Sequence, residues 1–214
     1  MTKPNKKIRF GLLYAGLVFF FNPYFAVVDV LPDFIGCLLI IAGLSRAMLV
    51  NRVLAEARTA FFKLMVADIV KTVLLMVTMG AGATEQPTAL LLVAFSATAV
   101  ELFFLIPAVK LLFEGLSSIA TLEDCPALYT TYRGRLSRIE LLQKQTVIFI
   151  FAREVICLLP EFTALTLSTY TDSDLINMYR YIGLIRAFSV CIVLVCGIVW
   201  LVQLTRTFLS LWRE

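Results

Sequence analysis

The chain has 214 residues, of which 60% are hydrophobic and 16% charged, and it contains no histidine. Soluble domains carry about 25% charged residues, so this composition excludes a polar-coated soluble globule. The missing histidine removes the side chain most used for acid–base chemistry and metal binding near neutral pH. The net charge of +4 lies in short basic clusters beside apolar runs, which does not indicate nucleic-acid binding. We therefore predict one all-α, polytopic membrane domain over residues 1–214, a bundle of six transmembrane helices that uses roughly 120 residues.

The first two predicted spans form a hairpin. Residues 10–28 follow four basic residues and lack the small-residue cleavage site of a secretory signal, so we expect an uncleaved first span. Pro23 kinks it, because proline removes a backbone donor and clashes with the preceding turn. Asp29 and Asp33 lie in the short break, and the second span covers residues 34–50, with Asp33 predicted as its N-cap.

The remaining predicted spans cover residues 60–79, 88–113, 146–168 and 182–208. Lysine and arginine concentrate in the N-terminal tail, in the connections 46–63 and 114–145, and at the C-terminal end. The alternate connections hold almost none. Because cytoplasmic connections carry the positive excess, both termini are predicted to be cytoplasmic.

Two of the basic connections have apolar residues at helical spacing. Residues 49–61 and 127–143 each repeat a large apolar or alanine side chain every three or four positions, with arginines on other faces. Such basic amphipathic segments are typical of helices that lie in the inner headgroup layer. Docking of another protein on these faces is the alternative interpretation.

Ionisable residues inside the predicted spans are the main functional candidates. Each costs about 2.5–3.5 kcal/mol at the bilayer centre, so such residues face the bundle interior and usually pair. Asp68 and Lys71 are three apart on one helix and can neutralise each other. Two further groupings are predicted from depth: Glu161 with Arg186 in the outer third, and a mid-membrane cluster of Glu101, Arg153 and Glu154. These groups form either an outward-opening polar pocket or ion path, or compensating pairs that fix helix register.

The break after the first span contributes further candidates. Asp29 and Asp33 are four apart, and paired carboxylates bind cations or share a proton, although helix capping alone explains Asp33. Asn22 offers acceptors to a ligand or to backbone groups freed by the kink. The ligand-binding hypothesis therefore comprises Asn22, Asp29, Asp33, Glu101, Arg153, Glu154, Glu161 and Arg186.

Signatures of catalysis and of cofactor binding are absent from the sequence. There is no nucleophile elbow, no zinc-protease motif and no phosphate-binding loop, and the cysteines lack the spacing of a metal or redox site. We expect a protein that is not an enzyme and that uses no cofactor and no metal.

A hairpin motif carries a resemblance to known proteins. The stretch Asn22–Leu44 contains Asp29, then Leu-Pro-Asp-Phe-Ile-Gly ending at Gly36, then an apolar run ending in Gly43 and Leu44. It resembles a motif of uncharacterised integral membrane proteins of Gram-positive bacteria, over about the first 45 residues. The resemblance implies a bacterial cytoplasmic membrane and no particular activity.

A looser similarity is to the substrate-binding membrane subunits of energy-coupling-factor vitamin importers. These have about this length, six spans and a vitamin site near the outer face, which the Asp29–Asp33 turn, Glu161 and Arg186 would suit. The Ala-x-x-x-Ala docking pattern of their first span is absent from residues 10–21.

The predicted function is thus small-solute binding or transport in the bacterial cytoplasmic (inner) membrane. The expected partners are the lipid bilayer and either a small solute or another membrane protein, with no nucleic acid. The alternatives are a structural or interaction subunit of a membrane complex, and a vitamin-binding subunit of the importer type.

Overall fold

A computed structural model describes residues 9–20, 33–45, 51–80, 87–122, 137–167 and 175–213, although not every side chain within these ranges. The described part contains helices and no strand, which confirms the all-α prediction. The helices are α1 (Phe10–Phe19), α2 (Asp33–Gly43), α3 (Arg52–Gly80), α4 (Pro87–Leu122), α5 (Arg138–Leu167) and α6 (Leu175–Arg213).

The six described helices form a closed ring in chain order. Each helix packs against its successor, and α6 packs back against α1. The interior is filled by aliphatic and aromatic side chains of all six helices, among them Leu13, Ile40, Leu64, Leu112, Ile150 and Leu204. Adjacent helices therefore enclose a common core in which side chains from distant parts of the sequence meet.

Glycines set the close approach of α1 and α2. A β-carbon at Gly16 would lie 2.6 Å from Ile40 Cγ1 and 2.7 Å from the Gly36 carbonyl oxygen, and one at Gly36 would lie 2.9 Å from the Gly16 carbonyl oxygen. The Arg9 amide also donates to the Gly43 carbonyl at 3.3 Å. The two short helices are thus antiparallel and in backbone contact, a packing mode that small residues permit in membranes.

Polar side chains connect other helices of the ring. Tyr14 on α1 bonds Thr205 on α6 at 3.0 Å, and the Trp200 indole on α6 donates to Thr146 on α5 at 2.9 Å. The Trp200 ring also stacks on Phe149 at a centroid distance of 4.8 Å. These contacts fix the rotation of α6 against both of its neighbours.

The helices differ from the predicted spans mainly in length. α3 to α6 extend beyond the predicted spans at one or both ends, whereas α1 and α2 cover only 10 and 11 residues. Residues 21–28 and 46–50 of the first two predicted spans lie outside the described residues.

The interfacial helix predicted at 49–61 is not seen as a separate element. Residues 52–61 form the first turns of α3, and Leu54, Ala57 and Phe61 are fully buried in the core. The apolar face packs on α4, where Leu54 contacts Gly115, so protein rather than headgroups covers it. Of the segment predicted at 127–143, residues 137–143 begin α5, and the rest lies outside the described residues.

Within the described residues, two helical segments are long and apolar enough to cross a membrane. Phe95–Ile119 in α4 has 25 residues and a mean hydropathy of 1.7, and Gly183–Leu209 in α6 has 27 residues and a mean hydropathy of 2.5. Two such segments are weak support for a membrane protein, and they leave the predicted number of six spans open.

Candidate functional site

The most unusual feature of the core is a buried group of ionisable side chains, here called the ionic cluster: Asp33, Asp68, Lys71, Glu101, Arg153 and Glu154. The exposed fraction of each of these residues is 7% or less. They come from α2, α3, α4 and α5, so the cluster forms only when these four helices assemble.

Arg153 is the hub of the ionic cluster and is fully buried. Its Nη2 donates to Asp33 Oδ2 at 2.8 Å, and its Nη1 donates to the Phe20 carbonyl oxygen at 2.8 Å. Its Nε donates to Glu154 Oε1 at 2.9 Å. Phe20 directly follows the last residue of α1, and Asp33 is the first residue of α2. One guanidinium group therefore joins α5 to the adjoining ends of both short helices.

Glu101 connects Arg153 to a second cation. Its Oε2 lies 2.5 Å from Lys71 Nζ, and its Oε1 lies 4.0 Å from Arg153 Nη2. Nearby, the Cys37 thiol donates to Asp68 Oδ2 at 3.6 Å. The contacts therefore run without interruption from the α1–α2 hairpin to α3.

The ionic cluster lies near the middle of the long helices. At 1.5 Å per residue, Glu101 is about 21 Å from the start of α4 and Arg153 is about 22 Å from the start of α5. In contrast, Asp33 and Phe20 are at the ends of their helices. The two short helices thus reach the cluster with their ends, where backbone carbonyl and amide groups are unsatisfied.

Negative groups outnumber positive groups in the ionic cluster. Its four carboxylates face two cations, which leaves an excess of about two negative charges when all are ionised. Asp33 Oδ1 and Glu101 Oε1 are buried and have no hydrogen-bond partner among the described residues. A buried polar oxygen without a hydrogen-bond partner costs free energy. An additional donor or positive charge at these two oxygens would therefore stabilise the ionic cluster.

Three of the carboxylates have the spacing of metal ligands. Oxygens of Asp33, Glu101 and Glu154 lie within 4.8 Å of one another. However, Arg153 Nη2 contacts a carboxylate oxygen of all three residues. The guanidinium group therefore takes the place between these carboxylates that a metal ion would take.

The structure brings together Asp33, Glu101, Arg153 and Glu154, four of the residues in the ligand-binding hypothesis. Asn22 and Asp29 lie outside the described residues. Glu161 is on α5 and Arg186 on α6, but their side chains are outside the described part of the structure, so their predicted pairing remains a prediction.

The predicted capping role of Asp33 is wrong in the described structure. Asp33 Oδ2 accepts from Arg153, and Oδ1 has no hydrogen-bond partner among the described residues. The physical reason is that a charge-assisted bond to a buried guanidinium is stronger than a bond to a neutral backbone amide.

The structure gives Lys71 a partner that was not predicted. Asp68 was expected to be able to neutralise Lys71 within α3, and the structure shows Lys71 paired with Glu101 on α4. Cys37 and the Phe20 carbonyl were not predicted as members of the network. The position of Cys37 could have been predicted, since it lies four residues after Asp33 and therefore on the same face of α2. Nothing in the sequence indicates that a particular backbone carbonyl accepts a hydrogen bond from a distant side chain.

Comparisons with protein-family models, with curated proteins and with solved structures found no match to this chain. A functional proposal for the ionic cluster therefore rests on its geometry and its charge.

Proposed function

We propose that this chain is a six-span protein of the bacterial cytoplasmic membrane, with both termini in the cytoplasm, that binds a small cationic solute at the ionic cluster. Its role is solute binding or transport rather than catalysis. The observation that carries this proposal is that, among the described residues, buried carboxylates outnumber buried cations in the ionic cluster, with Asp33 Oδ1 and Glu101 Oε1 accepting no hydrogen bond from them.

Exposure of the helix surfaces supports the membrane location. Phe103, Phe188 and Met76 expose 74%, 70% and 67% of their surface, and within the two long apolar segments only 33% and 28% of the residues are buried. A core helix of a soluble protein would be mostly buried, because leaving apolar surface in water costs about 25 cal/mol per Å². Lipid is the solvent that suits these faces.

The distribution of basic residues supports the proposed orientation. The contacts between Arg9 and Gly43, between Asn51 and Ser118, and between Lys110 and Gln143 place several basic helix ends at one end of the ring. Reporter enzymes fused within the two connections 114–145 and 169–181 test this orientation. We expect a cytoplasmic signal from the first fusion and an external signal from the second.

The charge of the ionic cluster supports a cationic solute. An ammonium group of a solute can donate to Asp33 Oδ1 and Glu101 Oε1, which lack hydrogen-bond partners among the described residues. An anion would instead add to the existing negative excess, and like charges repel strongly at low dielectric. The first property to measure is therefore whether the protein binds cations in preference to anions.

Thermal unfolding of the purified protein in detergent tests the proposal. The probes are sodium, potassium, magnesium, methylammonium, choline and putrescine, with acetate and lactate as anions of similar size. A solute at 100 times its Kd stabilises the folded state by about 2.7 kcal/mol. We expect at least one cation and neither anion to raise the melting temperature.

A matched pair of variants locates the binding site. The Glu101→Gln variant should lose the cation-dependent shift, whereas Glu114→Gln, which changes an exposed carboxylate on the same helix, should retain it. Shifts of equal size with cations and anions, or no shift with any cation, would overturn the proposal.

A structural role for half of the ionic cluster has its own support. Arg153 ties α5 to the ends of α1 and α2 through Asp33 and the Phe20 carbonyl, which suits a group that fixes helix positions in a structural subunit. If this were the whole role, Arg153→Met would lower the stability of the fold, while no cation would stabilise the unmodified protein.

A further inference from the structure

A groove runs on the outside of the ring between α3 and α4, and it adjoins the ionic cluster at Lys71. It consists of two adjoining cavities of about 910 Å³ and 580 Å³, and both are lined by Lys63 and Phe104. Alanines line both cavities, including Ala67 and Ala97 in the larger one. Because their side chains are small, they leave space between the two helices.

The larger cavity is an apolar channel. Its α3 wall runs from Phe62 to Leu74, a distance of about 18 Å at 1.5 Å per residue. The Ser96 hydroxyl in its wall donates to the Leu92 carbonyl, and the Lys71 ammonium is directed to Glu101. The Ser96 hydroxyl and the Lys71 ammonium are thus occupied, and Lys63 lies where the two cavities adjoin. The length of the apolar wall is close to one leaflet of a hydrocarbon core about 30 Å thick.

The smaller cavity is basic at its rim. Arg52, Glu56 and Lys63 line it, which gives an excess of one positive charge. The Arg52 side chain is 92% exposed and pairs with Glu56, and Lys63 is also exposed. An apolar channel of leaflet length that ends at a basic rim matches the two parts of an anionic amphiphile.

We propose that this groove binds one anionic phospholipid of the inner leaflet, with an acyl chain in the larger cavity and the phosphate at the basic rim beside Lys63. Two considerations identify the occupant. Basic pockets between membrane helices on the cytoplasmic side bind anionic headgroups, and the predicted orientation places residues 46–63 on that side. A soluble protein partner would meet the rim but would leave the apolar channel empty.

Lipid titration of the purified protein, followed by its melting temperature, tests the inference. Phosphatidylglycerol and phosphatidylcholine with identical acyl chains are compared, since they share the apolar part and differ in headgroup charge. We expect tighter apparent binding of phosphatidylglycerol, and weakening of that preference at high salt because exposed charges are screened. Equal affinity for the two lipids would overturn the headgroup assignment.

Two pairs of variants separate headgroup binding from chain binding. Lys63→Gln should weaken phosphatidylglycerol binding about fivefold, the effect of one basic residue near an anionic lipid, while Lys144→Gln, an exposed lysine on α5, should have no effect.

Ala67→Phe should fill the channel and abolish the response to both lipids, and Ala187→Phe, on the exposed surface of α6, should leave it intact. If Ala67→Phe fails to fold, Ala97→Phe fills the channel from the α4 side. Retained lipid binding in a folded channel-filling variant would contradict the proposal.

Discussion

The α1–α2 pair and the α3–α4 pair show two different ways of joining helices. The first pair is short and is held by backbone contact at Gly16 and Gly36. The second pair is long and includes the ion pair of Lys71 with Glu101. Lipid tails are as apolar as leucine, so helices in membranes associate through close packing or polar bonds rather than through the hydrophobic effect. Close packing at a glycine occurs in both pairs, since Leu54 on α3 also contacts Gly115 on α4. Among the described residues the α3–α4 pair adds a buried ion pair, and Arg153 connects the two pairs.

The comparison also distinguishes a contact that only holds two helices together from a contact that could bind a ligand. Close packing at Gly16 leaves no room for a ligand, whereas the ionic cluster retains carboxylate oxygens without hydrogen-bond partners among the described residues. Asp33 on α2 supplies one of these oxygens, so the α1–α2 pair reaches the ionic cluster with its helix ends rather than with its packed face. Arg153 is the link between the ionic cluster and these ends.

The largest loss of stability is expected from replacement of Arg153. Arg153→Met leaves the Asp33 and Glu154 carboxylates buried without their cation, and breaking a buried ion pair from one side costs about 3–5 kcal/mol. Chemical unfolding in detergent should show this loss of stability. The control Arg52→Met removes an exposed arginine, whose pair with Glu56 is worth about 0.3–0.5 kcal/mol.

A second substitution sharpens the test. In the Arg153→Met background, Asp33→Asn removes one of the carboxylates that lost its cation, so we expect partial recovery of stability. If the single variant were as stable as the original chain, or if the double variant were less stable than the single one, the ionic contacts of Arg153 would not hold the hairpin.

The next largest effect is expected in the glycine-packed pair. Gly16→Ala places a methyl group 2.7 Å from the Gly36 carbonyl oxygen, and overpacking of a tight interface costs about 1–3 kcal/mol. The control is Gly183→Ala on α6, where nothing lies within 4 Å of the added carbon. Because alanine is a better helix former than glycine by about 1 kcal/mol, the control should be unchanged or more stable. Equal effects of the two variants in thermal unfolding would exclude close packing as the cause.

Sequence reasoning succeeded for the parts of this fold that depend on local patterns. Helical structure and the membrane-like surface follow from the apolar runs, and Glu101, Arg153 and Glu154 stood out because charges inside such runs are rare. The grouping of these three residues was also predicted from depth, since residues at the middle of neighbouring spans lie at one level.

Partner choice and helix ends could not be predicted in the same way. The pair of Lys71 with Glu101 joins two helices, and only the packing of α3 on α4 brings these two side chains together. The sequence alone is equally consistent with Asp33 as a helix cap, and only the packing of α5 shows that its carboxylate accepts from the Arg153 guanidinium. The start of α3 was misjudged because an amphipathic pattern is the same whether lipid headgroups or another helix cover its apolar face.

A smaller effect is expected at the closure of the ring. The Thr205 hydroxyl donates to the Leu201 carbonyl, so the Tyr14 hydroxyl is the donor in the bond that joins α1 to α6. Tyr14→Phe keeps the ring contact with Phe208 and removes only this bond, which in membranes is worth about 0.6 kcal/mol. A double-mutant cycle with Thr205→Val measures the coupling, and a value near zero would show that aromatic packing alone closes the ring.

The smallest effect is expected outside the predicted spans, at the start of α5. The Ser137 amide donates to Glu140 Oε2 at 2.9 Å, and the Glu140 amide donates to the Ser137 hydroxyl at 3.2 Å, which is the reciprocal bonding of a capping box. The bond from the Ser137 backbone amide is the main cause that lowers the pKa of Glu140 below its ordinary value of 4.5. This carboxylate therefore stabilises the fold fully above the ordinary value, and the contribution disappears as the pH falls through the lowered pKa.

Glutamine also completes a capping box, so Glu140→Gln should keep most of the stability at pH 7 while removing this part of the acid-dependent loss. Glu140→Ala should lower stability at pH 7 as well. Unfolding measured from pH 7 to pH 3, with Glu114→Gln as the exposed control, separates the hydrogen bond from the charge. An unchanged acid profile in Glu140→Gln would mean that the cap holds α5 without any contribution from ionisation, and that acid sensitivity of the fold arises elsewhere.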